Sequence, residues 1–382
     1  MTTKNEHTIS QLETPCLLLN RELMERNYTT LSERLKRYGV SLRPHVKTIK
    51  STDVAKALFG DSEITITVST LKEAEEFAKM GITDMVYAVG ISPNKLQRIR
   101  KIRECGVDLK VILDSVQQAE IISNYVQQTG DRIGVLIEID CDQHRAGIKP
   151  DDKASILKIA GTLRDGGAEV KGVLSHSGGS YYSKCIDEII KIAEQERQAV
   201  VNAANILQQH DFDTPIISIG STPAALFARD FTGITEVRAG VFIFFDLVMA
   251  CLGVCKPEDI AISVLATVIG HQTEKGWIIV DAGWMAMSRD KGIAGQKVDM
   301  GYGLVCNENG EVIEDLIMVA ANQEHGILAF RDGRRDICDA FPIGTMLRLL
   351  PNHICATAAQ HQEYYVIEKN RVTNMWSRFN GW

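Results

Sequence analysis

The residues of this chain best suited to covalent chemistry lie in Arg43-Pro44-His45-Val46-Lys47-Thr48-Ile49-Lys50. A lysine amine that is buried, with a depressed pKa, forms Schiff bases with carbonyl compounds. Pro44 biases Arg43 toward extended geometry, so the segment reads as a strand or strand end after the short run Val40–Leu42. Side chains alternate across a strand, which puts Arg43, His45 and Lys47 on one face. On these residues alone two readings stay open. One is a solvated edge, because lysines are mostly exposed; the other is a reactive Lys47, with Lys50 next in line. A second group is Asn352-His353-Ile354-Cys355. On a strand, positions i and i+2 face the same way, so His353 and Cys355 can share one cation, and such a pair suits zinc or another borderline-soft divalent ion. Two ligands do not close a structural site. Either water and substrate complete it, as in a catalytic site, or no metal binds; His361 is a further candidate ligand.

These groups need elements to position them. From Glu13 to about Leu247 short apolar runs alternate with longer amphipathic ones. Strands are expected at Val40–Leu42, Ile64–Val68, Asp84–Val89, Leu109–Leu113, Ile133–Ile139, Val170–Leu174, Ile216–Ile219 and Thr235–Arg238. Helices fall between them, with a capping box at Thr70–Glu73, Asp114 as a cap, and glycines 39, 81 and 106 as stops. Eight such units predict an α/β chain with a closed (β/α)8 TIM barrel; an open doubly wound sheet is the alternative. After Asp246 the runs become short and are separated by Gly, Asn or Asp, which predicts a smaller all-β C-terminal domain. The expected division is 13–247 for the barrel and 248–382 for the β domain, with 1–20 packing on the latter.

Barrel enzymes place their sites at the C-terminal ends of the strands and often bind phosphate after the seventh and eighth. Those two strands run here into Gly220-Ser221-Thr222-Pro223 and Arg238-Ala239-Gly240. Glycine and small hydroxyl residues let backbone N–H groups approach an anion, although either segment alone reads equally as a turn. The strand from Ile133 leads into Glu138-Ile139-Asp140-Cys141-Asp142-Gln143-His144-Arg145-Ala146-Gly147, where Arg145 is either part of a surface ion pair or aimed at a ligand heteroatom. The strand from Val170 leads into Ser175-His176-Ser177-Gly178-Gly179-Ser180-Tyr181, which brings His176 and Tyr181 to the same end.

The chain has 382 residues and a formal net charge of −7. That balance gives no support for nucleic acid or an anionic membrane as partner. No run approaches the ~18 apolar residues of a spanning helix, and Met1–Leu12 carries no signal-peptide pattern. Nine cysteines in no repeating spacing do not make a disulfide framework, so a reducing cytoplasm is the expected location.

Taken together, several of these segments resemble the fold-type III pyridoxal-phosphate enzymes of the D-serine dehydratase and D-threonine aldolase family. They are Arg43–Thr48, Thr14-Pro15, Gly220–Pro223, Glu236–Gly240, Asp281-Ala282-Gly283, Gln323-Glu324-His325-Gly326 and Pro351–Cys355. The likeness spans nearly the whole chain, and Val241–Met249 and Trp284–Asp290 are most similar to its bacterial D-threo-3-hydroxyaspartate dehydratase branch. Ile49 departs from it, standing where many members have histidine. The resemblance implies an alanine racemase-like barrel and pyridoxal 5'-phosphate on Lys47. It implies cofactor contacts from Arg145, His176, Tyr181, Gly220, Ser221, Thr222, Arg238, Ala239 and Gly240, with Arg145 facing the pyridine nitrogen. It also implies a divalent metal (Zn, Mn, Co or Mg) on His353 and Cys355, and a homodimer. Aldolases of the family generally carry His-x-Asp at the metal pair and dehydratases His-x-Cys, as here. The implied activity is elimination of water from a 3-hydroxy D-amino acid, such as D-threo-3-hydroxyaspartate or D-serine, to a 2-oxo acid and ammonia. The rivals are retro-aldol cleavage to glycine and an aldehyde, and a non-catalytic cofactor-binding protein.

Overall fold

The computed structural model describes residues 7–60, 64–143, 145–292, 298–335 and 338–382. The chain divides into two compact units, one of 30–52, 59–240 and 381–382, the other of 1–29, 53–58 and 241–380.

The first unit is a closed parallel barrel. Its strands are Ser41–Leu42, Thr65–Val68, Asp84–Gly90, Asp108–Leu113, Gly134–Ile139, Glu169–Ser175, Ile216–Ile219 and Glu236–Val237, and each pairs in parallel with its neighbour in sequence. The last strand pairs with the first. The remaining gap is sealed where Val46 N donates to Thr67 O and Thr67 N donates to Pro44 O, both at 2.9 Å. Strand order therefore never reverses, which excludes the open doubly wound sheet. Val86, Ile112, Leu136 and Leu174 form one apolar cluster drawn from four neighbouring strands. Truncating such a buried leucine to alanine costs about 2–5 kcal/mol.

The intervening helices follow the capping chemistry of their first turns. Thr70 and Ser115 accept from the N–H groups of Glu73 and Gln118, and Asp152 from that of Ser155. Asp114, expected as a cap, is displaced by Ser115: the Gln118 side chain turns back to accept from Asp114 N.

The second unit is a sheet that is antiparallel apart from one parallel pair, Cys16–Asn20 with Glu363–Glu368. The strands Ile262–Gln272, Trp277–Val280, Gly326–Phe330, Val312–Ala321, Gly303–Cys306 and Met346–Pro351 pair in that order, and the last returns to the first, so the six close on themselves. Cys16–Asn20 adds to Ile262–Leu265 and to Glu363–Glu368, which in turn pairs with Arg371–Ser377. Ile9, Cys16, Leu18, Leu265, Ile367 and Val372 pack as a second core. No helix among the described residues is long and apolar enough to cross a membrane.

Candidate functional site

Lys47 does not lie on a strand. The first barrel strand ends at Leu42, and Ile49 N and Lys50 N both donate to Val46 O, closing a turn that carries the lysine. The same-face expectation fails for that reason. Arg43 is buried at 3% exposure and ion-paired to Glu236 and Asp84 at 2.8 and 2.6 Å, whereas Lys47 is only half-buried. The expectation of a buried lysine is corrected accordingly. Lys50, the second choice, has its Nζ 3.2 Å from the fully buried carboxylate of Glu73 and is occupied there.

The ends of several barrel strands gather around Lys47. His45 keeps some exposed area, but desolvation of its ring and the charges of Lys47 and Arg238 hold its pKa well below the ordinary value. Burial, then Arg145, Lys47 and Arg238, do the same to His176, whose ring bonds to the backbone of Gly220. Both imidazoles are neutral at physiological pH. Tyr181 lies beside His176, with ring centroids 6.1 Å apart. Arg145 is exposed, yet its charge is felt at His176 and Glu138. Glu138 has its pKa pushed up to about 7 by burial, then by Asp114 and Asp140, against the pull of Arg238 and Arg145. Such a perturbed carboxyl in a cluster of charges marks a functional site more often than a solvated loop.

Beneath the sixth and seventh strand ends runs a buried web of hydroxyls. Glu196, fully buried on the helix Ile186–Gln208, accepts from Ser175 Oγ at 3.0 Å, Ser177 N at 3.1 Å, Ser177 Oγ at 2.7 Å and Gly220 N at 3.0 Å. Ser177 and Ser180 reach Ser221 Oγ at 3.2 and 3.0 Å, and Ser221 caps the short helix Thr222–Phe227 through Ala224 N. The Arg238 side chain is engaged inside the barrel by Ser218 Oγ and the Ser175 carbonyl, and its backbone N–H by Ile219 O at 2.7 Å. Gly220 and Gly240 are required for packing: a Cβ would stand 2.3 Å from Arg238 O at Gly220, and 2.9 Å from His45 O at Gly240. Ser221 N and Gly240 N, both in buried residues, find no acceptor among the described residues. Two unspent N–H groups with an adjacent hydroxyl suit an oxyanion such as a phosphate ester.

In the other unit His353 and Cys355 are brought together, but not by a strand. The strand ends at Pro351, His353 caps the helix Ile354–Ala358, and Cys355 sits in its first turn. The two side chains are hydrogen-bonded. Asp290 Oδ2 accepts from His353 Nδ1 at 2.6 Å, which turns Nε2 toward Cys355 and makes it the ring's ligand atom. Burial lowers the His353 pKa, but Cys355 and Asp290, with Asp246, outweigh it and raise it to about 10. Asp246 fastens this turn by accepting from Met249 N and Ile354 N. Among the described residues no third His, Cys, Asp or Glu completes a metal set, so a bound ion would keep open positions for water or substrate. His361 is committed to Ala286 O at 2.9 Å through Nε2.

Asp290, Asp246, Glu196 and Glu138 were not singled out from sequence. Glu196 left a trace, a charge within the apolar stripe Ile189, Ala193, Val200, Ala203 and Leu207 of its helix. The acidic residues of the metal turn left none, since their partners come from distant segments.

The alanine racemase N-terminal domain family matches residues 19–248, and a putative serine dehydratase domain matches residues 261–367. The D-threo-3-hydroxyaspartate dehydratase of Delftia sp. (strain HT23) is 49% identical over 379 residues, 99% of this chain and 100% of the relative. Two solved D-threo-3-hydroxyaspartate dehydratase structures superpose with TM-scores of 0.96 and 0.97 at 49% and 48% identity. They cover 98% and 99% of this chain, and 100% and 97% of those chains. One is a cysteine-to-alanine variant in the metal-free form and the other a histidine-to-alanine variant; the two altered residues stand two positions apart, the spacing of His353 and Cys355.

Proposed function

The chain belongs to the pyridoxal-phosphate-dependent D-threo-3-hydroxyaspartate dehydratase family of lyases, and we propose that it removes water from D-threo-3-hydroxyaspartate or a close 3-hydroxy D-amino acid. The products are a 2-oxo acid and ammonia. The cofactor-binding part is the barrel unit, 30–52 and 59–240 rather than the whole of 13–247, and the metal ligands come from the β unit. The working form is a homodimer in the cytoplasm.

In this reading Lys47 holds the cofactor covalently. The N–H groups of Ser221 and Gly240 take its phosphate, with Thr222 beside them and Gly220, Ala239 and the Arg238 backbone shaping the turns. His176 and Tyr181 flank the ring, and Arg145 serves the pyridine nitrogen. When bound, pyridoxal phosphate draws electrons from the substrate α-carbon, and a divalent ion on His353 and Cys355 draws charge from the β-hydroxyl. Lys47 Nζ takes the proton from the α-carbon. Neutral His45 and His176 add no positive charge to that amine's surroundings. Asp290 holds the His353 ring so that Nε2 faces the ion, and Asp246 holds the backbone between the two ligands.

The observation that carries elimination over cleavage is the His353–Cys355 pair with Asp290 on Nδ1. Hydroxide is a poor leaving group and needs a Lewis acid on its oxygen, while retro-aldol cleavage needs a base on its proton. That the relative's cysteine variant is described in a metal-free form fits a metal in the unaltered enzyme. The test is a panel of D- and L-3-hydroxy amino acids, with and without added Zn, Mn, Co or Mg, scored for ammonia and 2-oxo acid. Metal-stimulated ammonia from D isomers alone supports the reading. Absence of turnover on every D isomer in the cofactor-loaded protein would overturn it.

A further inference from the structure

A cavity of about 190 Å³ lies within the β unit, far in sequence from Lys47, and its wall includes Asn20, Ser263, Asn309, Gly310 and Arg348, with Glu258. Arg348, on the strand Met346–Pro351, is 5% exposed, yet no carboxylate is within ion-pair distance of it among the described residues. Among the described residues its guanidinium makes one hydrogen bond, from Nη2 to Asn370 Oδ1 at 2.8 Å, and its Nε is buried without an acceptor. A guanidinium stays protonated in proteins, and an unpaired buried charge is expensive.

The neighbouring groups are donors as well. Asn20 Oδ1 is committed to Leu23 N at 3.0 Å, which leaves its amide nitrogen uncommitted. Asn370 must present its oxygen to Arg348, so its nitrogen donates to Asn309 Oδ1 at 2.9 Å, and again only an NH2 remains on Asn309. The Ser263 hydroxyl, on a residue 7% exposed, has no partner among the described residues. The exposed Glu258 is the one carboxylate on the wall.

We propose that this cavity is a binding site for a small oxyanion, a phosphate or short carboxylate, held by the Arg348 guanidinium and by the amide and hydroxyl donors of Asn20, Asn309 and Ser263. Apart from the exposed Glu258, the polar side chains of the wall present donors around a buried cation, and an anion would supply the missing acceptor. The volume admits a phosphate or a malonate together with a few waters.

The test uses the cofactor-loaded protein, whose own phosphate contacts are filled. Thermal unfolding is followed while inorganic phosphate or malonate replaces chloride at constant ionic strength; the two arms separate a tetrahedral ligand from a carboxylate. A saturating rise in the midpoint with either is expected, together with an anomalous peak beside the Arg348 guanidinium in crystals soaked in selenate. Arg348→Met should weaken the anion by about tenfold or more, the loss of a charge-assisted donor; Asn309→Leu, at the rim, is the second variant should the first fail to fold. Equal titrations for wild type and a folded variant would overturn the proposal. So would a cavity that crystals show filled by water alone or by an acidic side chain of another copy.

Discussion

Changing Glu196→Gln separates a carboxylate that organises the cofactor's phosphate contacts from one that merely fills the barrel wall. Oε1 accepts three hydrogen bonds, from Ser175, Ser177 N and Gly220 N, and Oε2 accepts the shortest, 2.7 Å from the Ser177 hydroxyl. A glutamine can keep its oxygen on the first three, but then turns an NH2 toward Ser177. Ser177 must rotate, and its contact with Ser221 Oγ at 3.2 Å goes with it. A buried hydrogen bond to a charged group contributes about 1.5–3 kcal/mol, and we assign roughly half of one such loss, about 1 kcal/mol, to the Gly220–Ser221 segment that receives the phosphate. That corresponds to roughly fivefold weaker pyridoxal phosphate binding. The assay is titration of cofactor-free protein, read by the absorbance of the lysine-bound form, alongside thermal unfolding of the cofactor-free proteins. Weaker cofactor binding that Glu196→Asp partly restores supports the assignment. Reduced stability with unchanged cofactor affinity would refute it and leave Glu196 a packing residue.

Lys47→Ala should abolish covalent cofactor attachment, detected by borohydride reduction and mass measurement; attachment retained on Lys50 would mean its pairing with Glu73 opens. Asp290→Asn should lower metal affinity by about 10–100-fold, as loss of a ligand-orienting carboxylate does, checked by competition with a chromophoric chelator, with the cofactor absorbance unchanged. Glu138 has a folded pKa of about 7 against an ordinary 4.5, so the unfolded chain releases its proton first. Its carboxyl costs nothing below the lower value, and the cost grows as pH rises between the two and persists above. Glu138→Gln should therefore raise the melting temperature of the cofactor-free protein at about pH 8, with the gain vanishing by about pH 4; an equal shift at both would mean the carboxyl is not held neutral.

Much of the barrel is legible because each of its strands is a short apolar run set between capped amphipathic helices, and neighbours in sequence are neighbours in space. The β unit is less so. Cys16–Asn20 pairs with Ile262–Leu265 and Tyr365–Ile367, partners that no local pattern reveals, and Arg371–Ser377 alternates too weakly to stand out. His353 and Cys355 were paired through strand alternation, whereas a cap and a first helical turn bring them together after Pro351. The glycines at 220 and 240 were read as room for an anion, but what demands them is the close approach of neighbouring backbone. Asp290 and Glu196 escaped because a hydrogen bond across dozens of residues leaves no spacing to read.

The central claim is that this chain breaks the bond from the β-carbon to oxygen and spares the bond between the α- and β-carbons. Quantifying products from D-threo-3-hydroxyaspartate in the metal-loaded enzyme tests it most directly. One ammonia and one 2-oxo acid for each substrate consumed, with no glycine, is the predicted result. Glycine accumulating with an aldehyde in place of ammonia would contradict it.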